Sequence, residues 1–257
     1  MRIESSVITH VGLIRSNNED NYYVNGKYKS DRTAAAEGYT DVTQRKAHIY
    51  AVCDGMGGEN FGELASMIAV KTLAVYQETD LRDTVMEYIK RTNYYICKEI
   101  EKYDGLRIGT TVALLYIYNN RAVSYNVGDS RVYLLRKGDL YLMSVDHTEA
   151  QDMVDMGLIS EDEAETHASK NKLTQHLGIF TDELIIEPYV SDEVKLKKND
   201  ILLVCSDGLS DMVNNDEIRE IMSMEGASTA EIAKTLAATA QANGGRDNTT
   251  IIVVKTS

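Results

Sequence analysis

The run TTVALLYIYNNRAVSYNVGDSRVYLLRKGDLYLMS, residues 110–144, decides the fold of this chain. It contains four stretches with strand character, separated by short turn signals that include Asn119-Asn120 and Lys137-Gly138-Asp139. Turns this short join antiparallel neighbours in a hairpin. Because parallel strands need long crossover connections, consecutive hairpins exclude a doubly wound parallel sheet.

The segments on either side of this run have helical periodicity. Small and apolar residues recur at steps of three and four from Gly62 to about Gln77, directly after a CDGMGG turn, and again from near Leu81 to Tyr103. Farther along we expect acidic helices around residues 149–178, strands at Ile185 and Ile201, a helix from about Thr229 to Ala242 and a terminal strand. Helices before and after antiparallel strands predict an α+β fold, a sandwich of two antiparallel sheets flanked by helices.

The chain length and patterning indicate one domain. A chain of 257 residues fits one large domain or at most two. No repeat, linker or long charge block divides it, so we expect a single domain over residues 1–257. The stretch 27–46 is the least patterned part and mixes charges with Ala34, Ala35 and Ala36. We interpret it as a surface excursion between two strands.

Composition excludes several classes of function. Forty acidic against 27 basic residues give a formal net charge of −13, so nucleic-acid binding is not expected. No apolar stretch approaches the ~18 residues of a membrane span, and the first residues lack the pattern of a signal peptide. Cys53, Cys97 and Cys205 are too scattered for a disulfide framework or a zinc site and indicate buried free thiols. We therefore expect a cytoplasmic protein.

Four aspartates lie beside predicted strands in short glycine-containing turns: Asp54 in CDGMGG, Asp129 in VGDSR, Asp207 in CSDGL and Asp247 in GGRDN. Each alone could simply cap a turn, because aspartate is common there. Carboxylates gathered at one edge of stacked sheets, however, stay ionised together only if positive charge lies between them. Oxygen-only ligands favour Mg²⁺ or Mn²⁺, so the four together predict a divalent metal site.

Six segments, taken in order, carry a resemblance to a known family: RSNNED at 15–20, CDGMGGENFGELAS, IGTTVAL, NVGDSRVYLLRKGDLYLMSVDHT, SDGLSDMV and GGRDNTTIIVV. Together they resemble the metal-dependent protein phosphatases, the type 2C serine/threonine family, in its bacterial single-domain form. The resemblance extends from about Val11 to Val254. It implies an αββα sandwich with a two-metal centre at one end of the sheets.

The resemblance also implies a role for each acidic residue. Asp54 would bridge two Mn²⁺ or Mg²⁺ ions, with the Gly55 carbonyl helping to hold one of them. Asp207 and Asp247 would bind the second ion. Asp129, together with Asp207, would hold a third, weaker one.

Three residues before the first metal ligand complete the implied site. Glu19 and Asp20 match an acidic pair that orders waters around the ions, and Arg15 matches the arginine that binds the substrate phosphate. Some members carry a histidine two residues after the bridging aspartate, but this chain has Met56 there. A thioether cannot donate a proton, which leaves a metal-bound water as the candidate general acid.

Two polar residues each allow two interpretations. Asn248 either orients a ligand or water through its amide or forms an Asx-turn. His147, in VDHT, either makes a structural hydrogen bond or transfers a proton.

The implied function is hydrolysis of phosphoserine and phosphothreonine in proteins, by attack of a water held between the two ions, opposing a cognate serine/threonine kinase. Residues 146–178 resemble the flap that borders the cleft in bacterial members. A monomer is expected. Two alternatives remain: a pseudophosphatase that serves as a binding module, although such proteins typically lack a metal carboxylate, and an anti-anti-sigma-type phosphatase dedicated to one regulator.

Overall fold

The computed structural model describes residues 1–31, 36–57, 61–103 and 107–257. The strands in these ranges are β1 (Ile3–His10), β2 (Asn21–Val24), β3 (Lys27–Tyr28), β4 (Ala36–Thr43), β5 (Ala47–Cys53), β6 (Gly55–Gly57), β7 (Ile108–Thr110), β8 (Val112–Tyr118), β9 (Arg121–Val127), β10 (Arg131–Arg136), β11 (Asp139–Leu142), β12 (Tyr189–Val190), β13 (Val194–Lys195), β14 (Ile201–Cys205) and β15 (Thr249–Thr256). The helices are α1 (Gly62–Val75), α2 (Leu81–Lys102), α3 (Glu149–Asp155), α4 (Glu161–Glu165), α5 (Asp207–Ser210), α6 (Asn215–Met222) and α7 (Thr229–Ala242).

Two large sheets organise these strands. Sheet A has the order β11-β10-β14-β15-β1-β4, and sheet B has the order β12-β9-β8-β5-β2-β3, with β13 also paired to β9. A two-stranded ribbon, β6-β7, lies apart from both. The pairings between the described strands are antiparallel. The predicted antiparallel topology is confirmed.

Side-chain burial shows four layers. Apolar residues of both sheets, among them Val52, Leu115, Leu202 and Val254, share one core between the sheets. Helices α1 and α2 cover the outer face of sheet B, and α6 and α7 cover the outer face of sheet A. Strand β14 is buried on both faces, because alternate side chains of a strand point to opposite sides. The α+β fold, an αββα sandwich, is therefore as predicted.

The two hairpin signals form the turns they predicted. Asn119 and Asn120 have φ of 49° and 62°, and Lys137 and Gly138 have φ of 58° and 90°. Two successive left-handed residues match the twist of the flanking strands. Helices α1, α2 and α7 also begin and end within two residues of their expected bounds.

The interpretation of residues 27–46 as a surface excursion was wrong for much of the segment. It contains β3 and β4, and β4 pairs with β1 along its whole length, from Ile3↔Thr43 to His10↔Ala36. Ala34 and Ala35 lie outside the described residues. The sequence AEGYTDVT has few apolar residues because β4 is an edge strand of sheet A.

Other local predictions also need correction. Ile185 lies in a loop and is 74% exposed, whereas the nearest strand, β12, begins at Tyr189. Within CDGMGG, the residues Gly55–Gly57 form β6 and not a turn, and residues 58–60 lie outside the described part. Helices α5 and α6 were not predicted: α5 has only four residues, whereas α6 carries a signal that the sequence analysis did not use, the capping box of Asn214 and Glu217.

Two further expectations concern the chain as a whole. Cys53, Cys97 and Cys205 are buried and unpaired. None of the helices in the described part of the chain is long and apolar enough to cross a bilayer.

Candidate active site

The four predicted aspartates meet at one end of the sandwich. Asp54 follows β5, Asp129 lies just beyond β9, Asp207 follows β14 and begins α5, and Asp247 precedes β15. Burial raises the pKa of Asp54 well above its ordinary value, and the negative charges of nearby aspartates raise it further; these are Asp20, Asp207, Asp129 and Asp247. Five aspartates on separate segments therefore share one electrostatic environment.

The pKa values of the other carboxyl groups show the same crowding. Burial, and then the charges of Asp129, Asp211 and Asp247, raise the pKa of Asp207 well above its ordinary value. Burial and the charge of Asp146 raise the pKa of Asp129 to about 7. Carboxylates in so confined a space remain ionised together only when a cation compensates them.

Two carboxylate oxygens lack a partner within the described protein. Asp20 Oδ1 and Asp207 Oδ1 are both buried and accept no hydrogen bond from the described residues. The other Asp20 oxygen accepts from Ser206 Oγ at 2.8 Å. Buried polar atoms without a partner are rare in native proteins and point to an ion or water. Because the donors are hard oxygens, the residues fit Mg²⁺ or Mn²⁺ in charge and in chemistry.

The carboxylate groups lie near one another, but their oxygens do not converge on a single position. Among the described His, Cys, Asp and Glu side chains, no group of three lies close enough together to hold an ion. Asp247 Oδ2 accepts a hydrogen bond from Arg15 Nη2 at 2.6 Å, and Asp247 Oδ1 accepts one from the Asn248 backbone N–H at 2.8 Å. Asp247 is thus held by its neighbours in this arrangement, and the predicted phosphate-binding arginine contacts a predicted metal ligand.

Gly55 lies where only glycine fits. A Cβ atom there would come within 2.3 Å of the Gly62 carbonyl oxygen and 2.5 Å of the Glu19 carbonyl oxygen. The adjoining Asp54 carbonyl accepts hydrogen bonds from Thr111 N and Thr110 Oγ1, both at 2.9 Å. The Asp54-Gly55 backbone is therefore fixed between β7, helix α1 and the loop before β2.

Asn248 orients the loop that carries Arg15, Glu19 and Asp20. Its Oδ1 accepts from the Glu19 backbone N–H at 2.7 Å, and its Nδ2 donates to the carbonyl oxygens of Val11 and Asn17 at 2.9 and 2.8 Å. All three bonds run from the residue that precedes β15 to this loop. The side chain thus positions backbone and does not form the alternative Asx-turn.

Glu19 and Asp20 differ in their surroundings. Glu19 Oε1 accepts from the Gly62 backbone N–H at 3.2 Å, at the start of α1, and burial raises its pKa to about 7. Asp20 is fully buried, and burial raises its pKa to about 6. Asp20 acts electrostatically on Asp54, whereas Glu19 accepts a hydrogen bond at the start of helix α1.

His147 has a structural contact. Its Nδ1 accepts from the Gly128 backbone N–H at 3.0 Å, and burial lowers its pKa. The side chain is therefore a hydrogen-bond acceptor that supports the turn before Asp129. This geometry favours the structural interpretation over proton transfer.

Sequence reasoning missed two residues near the centre, Asp211 and Lys29. Asp211 acts on Asp207 and Asp129, and it contacts Lys170 at 2.9 Å and Asn171 at 2.6 Å, so it joins α5 to the segment 146–178. The second aspartate of SDGLSD was the available signal for Asp211. Lys29 is buried nearby, and nothing in the local sequence indicated it.

A cleft opens from the centre. It has a volume of about 1050 Å³, and Asp129 and Asp207 line it where it meets the acidic cluster. Residues of the segment 146–178, including Thr148 and Lys170, form part of its wall, and residues at the start of α6 form another part. A cleft of this size accommodates a segment of a ligand beside the carboxylates.

Comparison with known proteins gives a consistent result. The family profile described as Protein phosphatase 2C matches residues 22–244. Protein phosphatase PhpP of Streptococcus pneumoniae serotype 2 is 33% identical over 261 residues, which cover 98% of this chain and 97% of that protein. The crystal structure of the Mycobacterium tuberculosis serine/threonine phosphatase PstP/Ppp superposes with a TM-score of 0.82 at 30% identity and covers 100% of both chains.

A second solved structure bears on the metal site. The catalytic domain of the serine/threonine protein phosphatase PstP, in complex with two manganese ions, is similar to this chain with a TM-score of 0.79 and 30% identity. The similarity covers 99% of both chains.

Proposed function

This chain belongs to the protein phosphatase 2C family, and from that premise we propose that Asp54, Asp207 and Asp247 bind its two catalytic divalent cations. The protein is a Mn²⁺- or Mg²⁺-dependent phosphatase that acts on phosphoserine and phosphothreonine in proteins. The observation that carries the residue assignment is the crowding of five aspartates, two of which, Asp20 and Asp207, have a buried carboxylate oxygen without a partner among the described residues.

Each acidic residue has a place in this proposal. Asp54 would be the residue common to both ions, because the charges of all four other aspartates act on it. The Gly55 carbonyl would help to hold one ion. Asp129 and Asp207, which both line the cleft, would hold a third, weaker ion. Asp20 and Glu19 would order waters around the ions.

The chemistry divides between the ions and the chain. When bound, the two cations supply the charge that lowers the pKa of a water toward neutrality and polarises the phosphate. Arg15 binds the phosphate, because its planar guanidinium offers two parallel N–H donors to two oxygens. In this structure the same group contacts Asp247, and an arriving phosphate competes with that carboxylate for it. Met56 holds no proton for the leaving oxygen, so no general acid is assigned to it.

The test is phosphate release from a phosphothreonine peptide with Mn²⁺ or Mg²⁺. We expect turnover that a chelator abolishes and that Asp207→Asn reduces by at least about 100-fold, because it weakens a ligand to the ions. Asp192→Asn, at an exposed position outside the centre, is the matched control and keeps the wild-type rate. Wild-type protein that binds Mn²⁺ but releases no phosphate would instead favour the binding-module alternative.

Several finer assignments complete the proposal. Residues 1–257 form one catalytic domain, and residues 146–178 form a flap, supported by the contacts of Lys170 and Asn171 with Asp211, all three of which line the cleft. The enzyme opposes a cognate serine/threonine kinase, as its substrate chemistry requires. The enzyme is a monomer in this proposal, and its cytoplasmic location accords with the three buried free thiols, which suit a reducing compartment.

A further inference from the structure

Lys29 is a buried cation in the segment that the sequence indicated as surface. Its side chain is 1% exposed, and lysine is almost never so buried unless it is paired. Its Nζ donates to the Asn18 carbonyl oxygen at 2.7 Å. Its backbone N–H donates to Asn21 Oδ1, and its carbonyl accepts from Asn21 Nδ2, both at 3.1 Å. Hydrogen bonds therefore hold Lys29 both at its ammonium group and at its backbone.

This position adjoins the acidic centre. Asn18 directly precedes Glu19 and Asp20, in the loop that also carries Arg15. Asn18 also connects Lys29 to Asp20, because Asn18 Oδ1 accepts a hydrogen bond from the Asp20 backbone N–H at 3.2 Å. Lys29 therefore lies beside the loop that supplies Glu19 and Asp20 to the proposed metal site.

Arg15 and Lys29 are two cations close to this loop, and their side chains differ in how freely they can move. The Arg15 side chain is 56% exposed and pairs with Asp247, so a substrate phosphate can draw it away. Lys29 is enclosed and bonded to the backbone of the loop, so its charge stays in place whatever binds. A fixed positive charge reduces the mutual repulsion of the aspartates, and it also repels an incoming dication.

We propose that Lys29 is a positioning residue that acts as a permanent counter-charge of the acidic centre: it stabilises the gathered carboxylates and lowers their affinity for divalent cations. The inference rests on the proposed function, since it concerns the same metal site. Two effects of opposite sign follow from loss of the charge. The protein without divalent ions becomes less stable, and the ions bind more tightly.

The test compares two substitutions in one short segment. Lys29→Gln keeps a donor for the Asn18 carbonyl and removes the charge. Lys27→Gln makes the same charge change at an exposed position two residues away. Calorimetric titration gives the Mn²⁺ affinity, and thermal unfolding is followed in chelator and in saturating Mn²⁺. Wild-type protein is titrated first, and absence of any Mn²⁺ binding there would overturn the proposed function and this inference with it.

We expect Lys29→Gln to bind Mn²⁺ on the order of tenfold more tightly than wild type. Its unfolding temperature falls in chelator, and the deficit shrinks in saturating Mn²⁺. Lys27→Gln changes neither quantity by a comparable amount. If Lys29 had only a structural role, Lys29→Gln would lower the unfolding temperature equally in chelator and in saturating Mn²⁺. That result would overturn the proposal, and so would a Mn²⁺ affinity of Lys29→Gln that is unchanged or weaker than that of wild type.

Two further results test the proposal if Lys29→Gln does not fold without metal: its folding with Mn²⁺, and the behaviour of a third variant, Lys29→Arg. Folding of Lys29→Gln on addition of Mn²⁺ alone would support the proposal directly. Lys29→Arg keeps the charge and is expected to retain the wild-type Mn²⁺ affinity even if its unfolding temperature is lower. Tighter Mn²⁺ binding by Lys29→Arg would show that charge is not the cause and would overturn the proposal.

Discussion

At the scale of single residues, the backbone around the acidic centre leaves almost no free space. Gly208 follows Asp207, and a Cβ atom there would lie 1.9 Å from the Asn248 carbonyl oxygen. Asn248 follows Asp247, so the two predicted metal ligands are joined through a direct contact of their neighbouring backbones. Any added atom must push the two ligands apart.

Gly208→Ala should therefore reduce both stability and metal binding. We expect a loss of about 3 kcal/mol in the free energy of unfolding, the upper range for overpacking, and a weaker Mn²⁺ affinity. Denaturant unfolding and calorimetric titration measure the two. Gly138→Ala is the control, because its Cβ meets nothing within 4 Å and only its φ of +90° opposes the change, at about 1 kcal/mol. Equal losses in the two variants would contradict the expectation.

The residue scale also shows where sequence reasoning reached its limit. Asp54, Asp129, Asp207 and Asp247 were recognisable because each stands in a glycine-containing turn beside a strand. Lys29 was not, since its burial depends on tertiary packing around a segment with no apolar pattern. The Asn248 contacts were equally invisible, because they join residues more than two hundred positions apart.

At the scale of elements, helix α7 shows how one strand fixes the start of a helix. Ser228 and Glu231 form a capping box, and Glu4 of β1 adds a second acceptor. Glu4 Oε1 accepts from the Thr229 backbone N–H at 3.1 Å and from Thr229 Oγ1 at 2.8 Å. These bonds lower the pKa of Glu4 below its usual 4.5.

Glu4→Gln should destabilise the protein by about 1 kcal/mol at pH 7, because a neutral amide is a weaker acceptor than a carboxylate. The folded-state pKa of Glu4 is depressed, so its contribution is fully present above the unfolded value of 4.5. It is lost as pH falls from there through the folded pKa. Denaturant unfolding of both proteins from pH 7 to pH 4 measures the difference, which should narrow only below about pH 4.5. A difference that stayed constant to pH 4 would show that the charge of Glu4 is irrelevant.

Elements with a strong period or a distinctive turn were predictable, and others were not. Helices α1, α2 and α7 repeat apolar residues over three or more turns, and the hairpins at Asn119 and Lys137 carry turn residues. Strand β4 shows little apolar pattern because it pairs on one side only, and α5 has only four residues. Ile185 was assigned to a strand on apolar character alone, which a loop residue can share.

At the scale of the whole molecule, the shared core between the sheets joins them into one structure. Leu202 of sheet A is fully buried there with Leu115 of sheet B. We expect Leu202→Ala to cost about 3 kcal/mol, because truncation leaves a cavity. Calorimetry should still show one transition, and amide exchange should accelerate in both sheets alike. Acceleration confined to sheet A would contradict the single-domain prediction.

The pairing of β1 with β15 also has a mechanical consequence. The strands are antiparallel over eight residue pairs, from Ile3↔Thr256 to His10↔Thr249, and the Arg2 backbone N–H donates to the Ser257 carbonyl at 3.0 Å. A force that pulls Ile3 and Thr256 apart therefore breaks the residue pairs between the two strands one after another, so that each step needs little force. The last pair to separate is the one nearest Asp247, so all eight residue pairs must separate before the force distorts the acidic centre.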